Sequence, residues 1–251
     1  MMNAVAVFLV SLSIILTGAF CGAALRKALP ERHLADETKD VVRLGTGLVG
    51  TIAALVLGLL IASANSSFDA QRGHVRHLAA DLILLDQLLA EYGPETRPIR
   101  QELRQIVDQL VERIWWEQTT TANRLPFDAN KTAQAMFASI AQLAPQNEVQ
   151  RAMKDRAIAA STDLAQTRLL LFEQAGAGIP LPFLVVLVFW LAIIFASFGL
   201  FSRLNPVLVA ALSLFALSAS GALYLVLELS QPFTGLMQIS SDPLRSALAP
   251  L

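Results

Sequence analysis

Two imidazoles and a carboxylate, His74, His77 and Asp81, stand three and four residues apart, the spacing at which one helical face could close on a metal ion. Arg72 and Arg76 crowd the same turn, and fixed cations repel another cation. Arg72, His74, Arg76 and His77 therefore read better as a collar that attracts headgroups or small anions. Neither a metal site nor a cofactor is expected. A second candidate lies just upstream in "GLLIASANSSFDAQRGHV", residues 58–75, where an apolar run turns small and polar before it becomes charged. Small side chains there leave room, and Gly58, Ala62, Ser63, Asn65 and Ser66 together supply the space and polar groups that an ion path through a membrane needs. Phe68 would follow as an apolar collar.

Catalysis finds no comparable arrangement. The chain has three histidines, none beside a nucleophile in a recognisable order. "RLGTGLVG" has neither a preceding strand nor a lysine, so it is not a phosphate-binding loop. An enzyme is not expected. The formal net charge of −1 is spread without a basic patch, which argues against a nucleic-acid partner. Cys21 is the only cysteine, so an internal disulfide is excluded and a small packing role is expected of it.

The elements that must position these residues follow from charge and hydropathy. The 251 residues are 55% hydrophobic and 16% charged, with a mean hydropathy of +0.54; a soluble domain carries about a quarter charged residues. Residues 1–25, 44–68, 174–202 and 204–227 contain no Asp, Glu, Lys or Arg, and each window exceeds the roughly 20 residues that cross a bilayer core. The first window lacks a basic start and has Phe20 before Cys21, which favours a retained span over a cleaved leader. The expected fold is all-α, an integral membrane protein with four transmembrane helices. Residues 1–65 hold helices one and two with a short loop at 26–43, and 66–178 form a water-exposed helical domain continuous with helix two. Residues 179–229 hold helices three and four, and 230–251 a C-terminal tail that at best lies amphipathically on the membrane surface. The middle segment holds 26 of the 39 charged side chains.

Within that segment Val75, Leu78, Leu82, Leu85, Leu89 and Tyr92 alternate spacings of 3 and 4, the seam by which one helix packs along another and a coiled-coil signal. Gly93-Pro94 ends that helix, so span two and the seam predict one helix over Leu44 to Tyr92, with Gly73 its weak point. Further helices are expected over Glu95–Gln118, from an Asp128 cap to Leu143, and from Pro145 to Gln174. Trp115 and Trp116 suit a core, an interface belt or a partner surface. Glu228 is expected at the membrane interface.

Gly50, Ala54, Gly58, Ala62 and Ser66 recur every four residues in span two, with Gly47, Thr51 and Asn65 beside them. Such a stripe lets membrane helices approach closely; copies of it around an axis would instead line a pore. Both readings stay open on spacing alone.

"VRLGTGLVGTIAALVLGLLIASANSSFDAQ", "LILLDQLLAEYGPE" and "LELSQPFTGLMQISSDPLRSAL" together resemble the bacterial bestrophin-like membrane family. The resemblance implies two spans, a helical domain and two more spans, and similarity to bestrophins, which are oligomeric anion channels whose second span lines the pore. Span two here has no run of consecutive aromatics like the bestrophin neck, and the chain has no acidic cluster like a calcium clasp. The expected function is an oligomeric pore for small ions, anions by preference, a homo-oligomer in the bilayer held by span two and its heptad continuation. The alternative is a non-conducting scaffold or sensor whose helical domain binds a protein partner. Basic residues near the membrane number six on the loop side of span one, Arg203 included, against four on the domain side, a slight lean towards a domain outside the cytoplasm. The resemblance favours a cytoplasmic domain in a bacterial inner membrane, and that is the expectation.

Overall fold

Each charge-free window becomes a helix. The structure, a computed structural model, describes residues 3–30, 36–115, 129–175, 179–202, 205–233 and 235–247. Its α-helices are α1 (Ala4–Ala28), α2 (Asp36–Tyr92), α3 (Arg97–Trp115), α4 (Ala129–Ala141), α5 (Glu148–Ala175), α6 (Leu181–Phe201), α7 (Pro206–Leu229) and α8 (Asp242–Ala247). No strand occurs among the described residues. Helices α1, α2, α6 and α7 are long and apolar enough to cross a membrane, and the chain is a multi-pass, all-α membrane protein. The chain divides into two units, 1–66 with 178–230, and 67–177 with 231–251.

In the first unit, local chemistry sets the helix ends. The Asn3 side chain accepts from Val5 N at 3.2 Å, and Arg26 and Lys27 sit in the last turn of α1, where cations suit the helix dipole. The Asn205 side chain accepts from Leu208 N at 2.7 Å, and Pro206 opens α7. Lipid is as apolar as leucine, so these helices gain little from burial and must gain from close contact. Gly18 and Gly22 of α1 lie against the Ala192 and Ala196 carbonyls of α6, and Gly199 of α6 lies against Ala19 of α1. A methyl group on any of the three would collide with backbone. The spacing "GAFCG" is a small-xxx-small motif in an apolar helix, a signal in the sequence that the reading above assigned only to span two. Cys21 is exposed beside it, so Ala19, Gly22 and Ala23 pack where Cys21 was expected to.

Helix α2 starts eight residues before the predicted Leu44. The segment "DETKDVVR", expected as loop, is helical, because acidic residues in a first turn complement the N-terminal dipole and nothing in it breaks a helix. The helix passes Gly73 without interruption.

In the second unit the seam is buried as its spacing requires. Val75, Leu78, Leu82, Leu85 and Leu89 share one core with Ile99, Leu103 and Val107 of α3, Met136 of α4, and Ala157, Ala160 and Leu171 of α5. The seam therefore closes on the chain's own helices and is not the surface that would hold copies together. Gly93 turns the chain at φ 142°, where only glycine is unstrained. Thr96 Oγ1 donates to the Leu89 and Gly93 carbonyls, and Gln150 Nε2 donates to Tyr92 O at 2.9 Å, satisfying carbonyls that a helix end leaves open. A short 3-10 turn, Pro94–Thr96, precedes α3. Asp86 of α2 and Arg100 of α3 form a two-bond pair at 2.7 and 2.8 Å. Helix α5 begins at Glu148, later than Pro145, because the Asn147 side chain accepts from Gln150 N at 2.8 Å and caps it there. The expected cap Asp128 lies outside the described residues, as do Trp116 and Arg203.

The tail corrects the surface-segment reading. Phe233, Ile239 and Leu244 are buried in the core of the second unit. Trp115 Nε1 donates to Ile239 O at 2.6 Å, and its ring meets Phe233 edge-on at 5.4 Å. Trp115 thus packs, half-buried, against that core. Glu228, expected at the membrane interface, is 5% exposed.

Candidate functional site

In the first unit, one side of α2 is engaged by its own chain. Ala53 and Ala64 are buried, Leu57 and Leu60 pack against Leu184, Leu187 and Leu223, and Thr46 Oγ1 donates to Val42 O at 2.6 Å and lies 3.2 Å from Ser197 Oγ of α6. Gly50 sits near Ile194. The opposite side is uncovered. Gly47, Thr51, Ala54, Gly58, Ala62 and Asn65 are all exposed, at spacings of 4, 3, 4, 4 and 3, which follow one line along a helix of 3.6 residues per turn. A Cβ built at Gly47 or Gly58 meets nothing within 4 Å. Beside this line runs a second exposed one of Leu44, Leu48, Leu55 and Leu59. Ser63 and Ser66 are exposed as well.

The structure thus gathers Gly58, Ala62 and Asn65 on one line, with Ser63 and Ser66 exposed on the same span. The stripe read from the sequence at spacing four drifts: Gly50 turns towards α6, and the straighter line starts at Gly47. That line was legible in the alternation of three and four, which a fixed step of four obscures.

In the second unit, Asp69, Arg72 and Arg76 are exposed on α2 at spacings of 3 and 4 that continue the same periodicity. His77 is exposed and His74 half-buried, so the four basic residues do not form one face. Phe68 is half-buried and packs against the domain core, so its ring is engaged within the chain. Burial raises the Asp81 carboxyl above the ordinary carboxylate range, the charge of Asp163 adds to the rise, and His77 partly opposes it. Among the described residues, no group of three His, Cys, Asp or Glu is placed to hold a metal ion. Arg168 of α5, 9% exposed, was counted in the sequence only as a charge near the membrane; its place in the domain interior had no local signal.

A family model described as the bestrophin-like domain matches residues 13–244. A solved structure of a bacterial bestrophin homolog from Klebsiella pneumoniae, carrying a single substitution, superposes with a TM-score of 0.61 at 18% identity, covering 94% of this chain and 93% of that one. At that identity the likeness concerns the fold. No curated protein matches the chain.

Proposed function

We propose, for a chain that belongs to the bestrophin-like family, an oligomeric membrane pore for small anions, lined by the uncovered face of α2. The observation that carries this reading is the exposed line of Gly47, Thr51, Ala54, Gly58, Ala62 and Asn65. Thr51 Oγ1 donates to Gly47 O at 3.0 Å, and a span side made of small and polar residues suits protein or water-filled space better than lipid. The leucine line beside it suits lipid or a neighbouring copy. In a closed ring one line meets the neighbour while the other turns towards the axis. Arg72 and Arg76, exposed on α2 in the second unit, are fixed cations that would raise the local concentration of anions. Phe68 plays a lesser part in this proposal than the sequence suggested, since its ring packs inwards. The membrane is taken to be the bacterial inner membrane, with the helical domain in the cytoplasm.

The test is oligomeric state in detergent combined with single-channel recording in planar bilayers. A closed ring of four or more copies whose current falls with Asn65→Leu supports the reading. A monomer or dimer that never conducts would sink it, and leave the scaffold alternative.

A further inference from the structure

We propose that a groove between α1 and α6 holds one acyl chain of a bilayer phospholipid as a resident ligand. The groove lies wholly within the first unit and measures about 600 Å³, within the roughly 300–1,000 Å³ of small-molecule sites. Val10 and Ile14 of α1 and Leu181, Val185 and Phe189 of α6 stand exposed along its walls. Val7, Ser11 and Leu184 line it too and are buried, so they form its floor. The Ser11 hydroxyl donates to Phe8 O at 3.0 Å, which leaves the depth of the groove apolar. Asn3, just before α1, brings polarity to its mouth.

The shape suits a chain better than a helix. Gly18 lies against the Ala192 backbone and Gly22 against that of Ala196, so α1 and α6 run parallel and touch there. The groove lies on the N-terminal side of those contacts in both helices. It opens where the two spans begin and shuts where the glycines meet. It extends from Asn3 to Ile14 and from Leu181 to Ala192, about 16 Å along either helix. One leaflet is about half of a ~30 Å hydrocarbon core, so the slot has the depth of a single leaflet. A helix of a second copy is about 10 Å across and cannot follow a slot that narrows to backbone contact. An acyl chain can, with its ester and headgroup beside Asn3 at the interface. Fluid lipid wets any apolar surface, but a chain in this groove meets a floor and two walls, and dispersion contacts add up. The inference does not depend on α2 lining a pore.

The test is native mass spectrometry of the full-length protein, delipidated in detergent and then given palmitoyl-oleoyl phosphatidylglycerol. The expected result is one lipid per protomer that survives the activation needed to strip the rest. Ala6→Phe, which puts a ring into the groove, should lose that lipid. Val207→Phe, at an exposed position of α7, should keep it. Val185→Phe fills the groove from the opposite wall and decides the matter if Ala6→Phe fails to fold. A second copy is the rival occupant, and Val10→Cys in a Cys21→Ala background reports it. Treated in membranes with a short bifunctional maleimide, that variant should stay uncross-linked. No retained lipid, a lipid that survives both groove-filling variants, or cross-linking through Val10→Cys overturns the proposal.

Discussion

Gly22 and Gly199 admit no side chain beyond hydrogen, because each faces the backbone of the other helix. Gly58 sits in the same kind of apolar helix, and a Cβ there meets nothing within 4 Å. The two kinds of glycine should therefore respond oppositely to enlargement. Gly22→Leu should separate α1 from α6 and cost about 1–3 kcal/mol, in the range of overpacked cores, read as a lower thermal midpoint in detergent. Gly58→Leu should leave the chain's own stability within about 0.5 kcal/mol and change conductance, because only something outside the chain can meet that face. Asp81 carries a second residue-scale expectation. Its native pKa is raised by burial and by Asp163, so the folded state disfavours its ionised form. The stability tied to its protonated form is fully present below the unfolded pKa of about 3.9 and is lost as pH rises through the higher native value. Asp81→Asn should raise the thermal midpoint at pH 7 and converge with the parent protein below pH 4. A constant offset across that range would contradict the assignment.

The second unit tests how far an element can be read from spacing. The 3-and-4 alternation from Val75 to Tyr92 named the buried face of α2 correctly, because burial follows helical periodicity. The partners of that face were not legible, since α3, α5 and the tail meet it through contacts distant in sequence. The same holds for the tail: Phe233 and Ile239 stand in a segment without helical period, and only Trp115 and the domain core explain their burial. The four spans were legible from length and charge alone, while ends such as Asp36 were missed because a charged helical turn resembles a loop. On the candidate face, the small residues were visible, but that the chain leaves Gly58 open and closes on Gly22 depends on which helices meet. Two element-scale predictions follow from the packing. Leu85→Ala, at a fully buried seam position, should cost about 2–5 kcal/mol in domain stability. A double-mutant cycle on Asp86 and Arg100 should return a coupling of about 1.5–3 kcal/mol, the range of hydrogen bonds to charged groups, measured by denaturant or thermal unfolding. Coupling near zero would mean that the pair only decorates an interface made by leucines.

At the scale of the whole molecule, the decisive question is which surface a second copy would use. The heptad seam is occupied within the chain, so it cannot also join copies; α1, α6 and α7 expose apolar residues such as Val10, Phe189 and Leu214, and the membrane part of α2 adds a line of small residues to its exposed leucines. Lipid accepts leucine readily, so Leu44, Leu48, Leu55 and Leu59 alone would demand no partner; the small line through Gly47, Ala54, Gly58 and Ala62 is where another helix could approach closely. If copies surround an axis, the small line should be mutually accessible across that axis. Cys21 is the only native cysteine, and a Cys21→Ala background allows single probes to be placed. Ala62→Cys in membranes, treated with a short bifunctional maleimide, should give cross-linked species, and across variants that pair Ala62→Cys with Leu55→Cys these should extend to a ladder ending at the ring number. Leu85→Cys, buried in the domain core, should stay silent in native membranes and serve as the control. A closed ring requires every copy to have two neighbours, so the paired variant must exceed a dimer. A ladder that stops at two would show that α2 joins copies pairwise, with no axis for ions to follow.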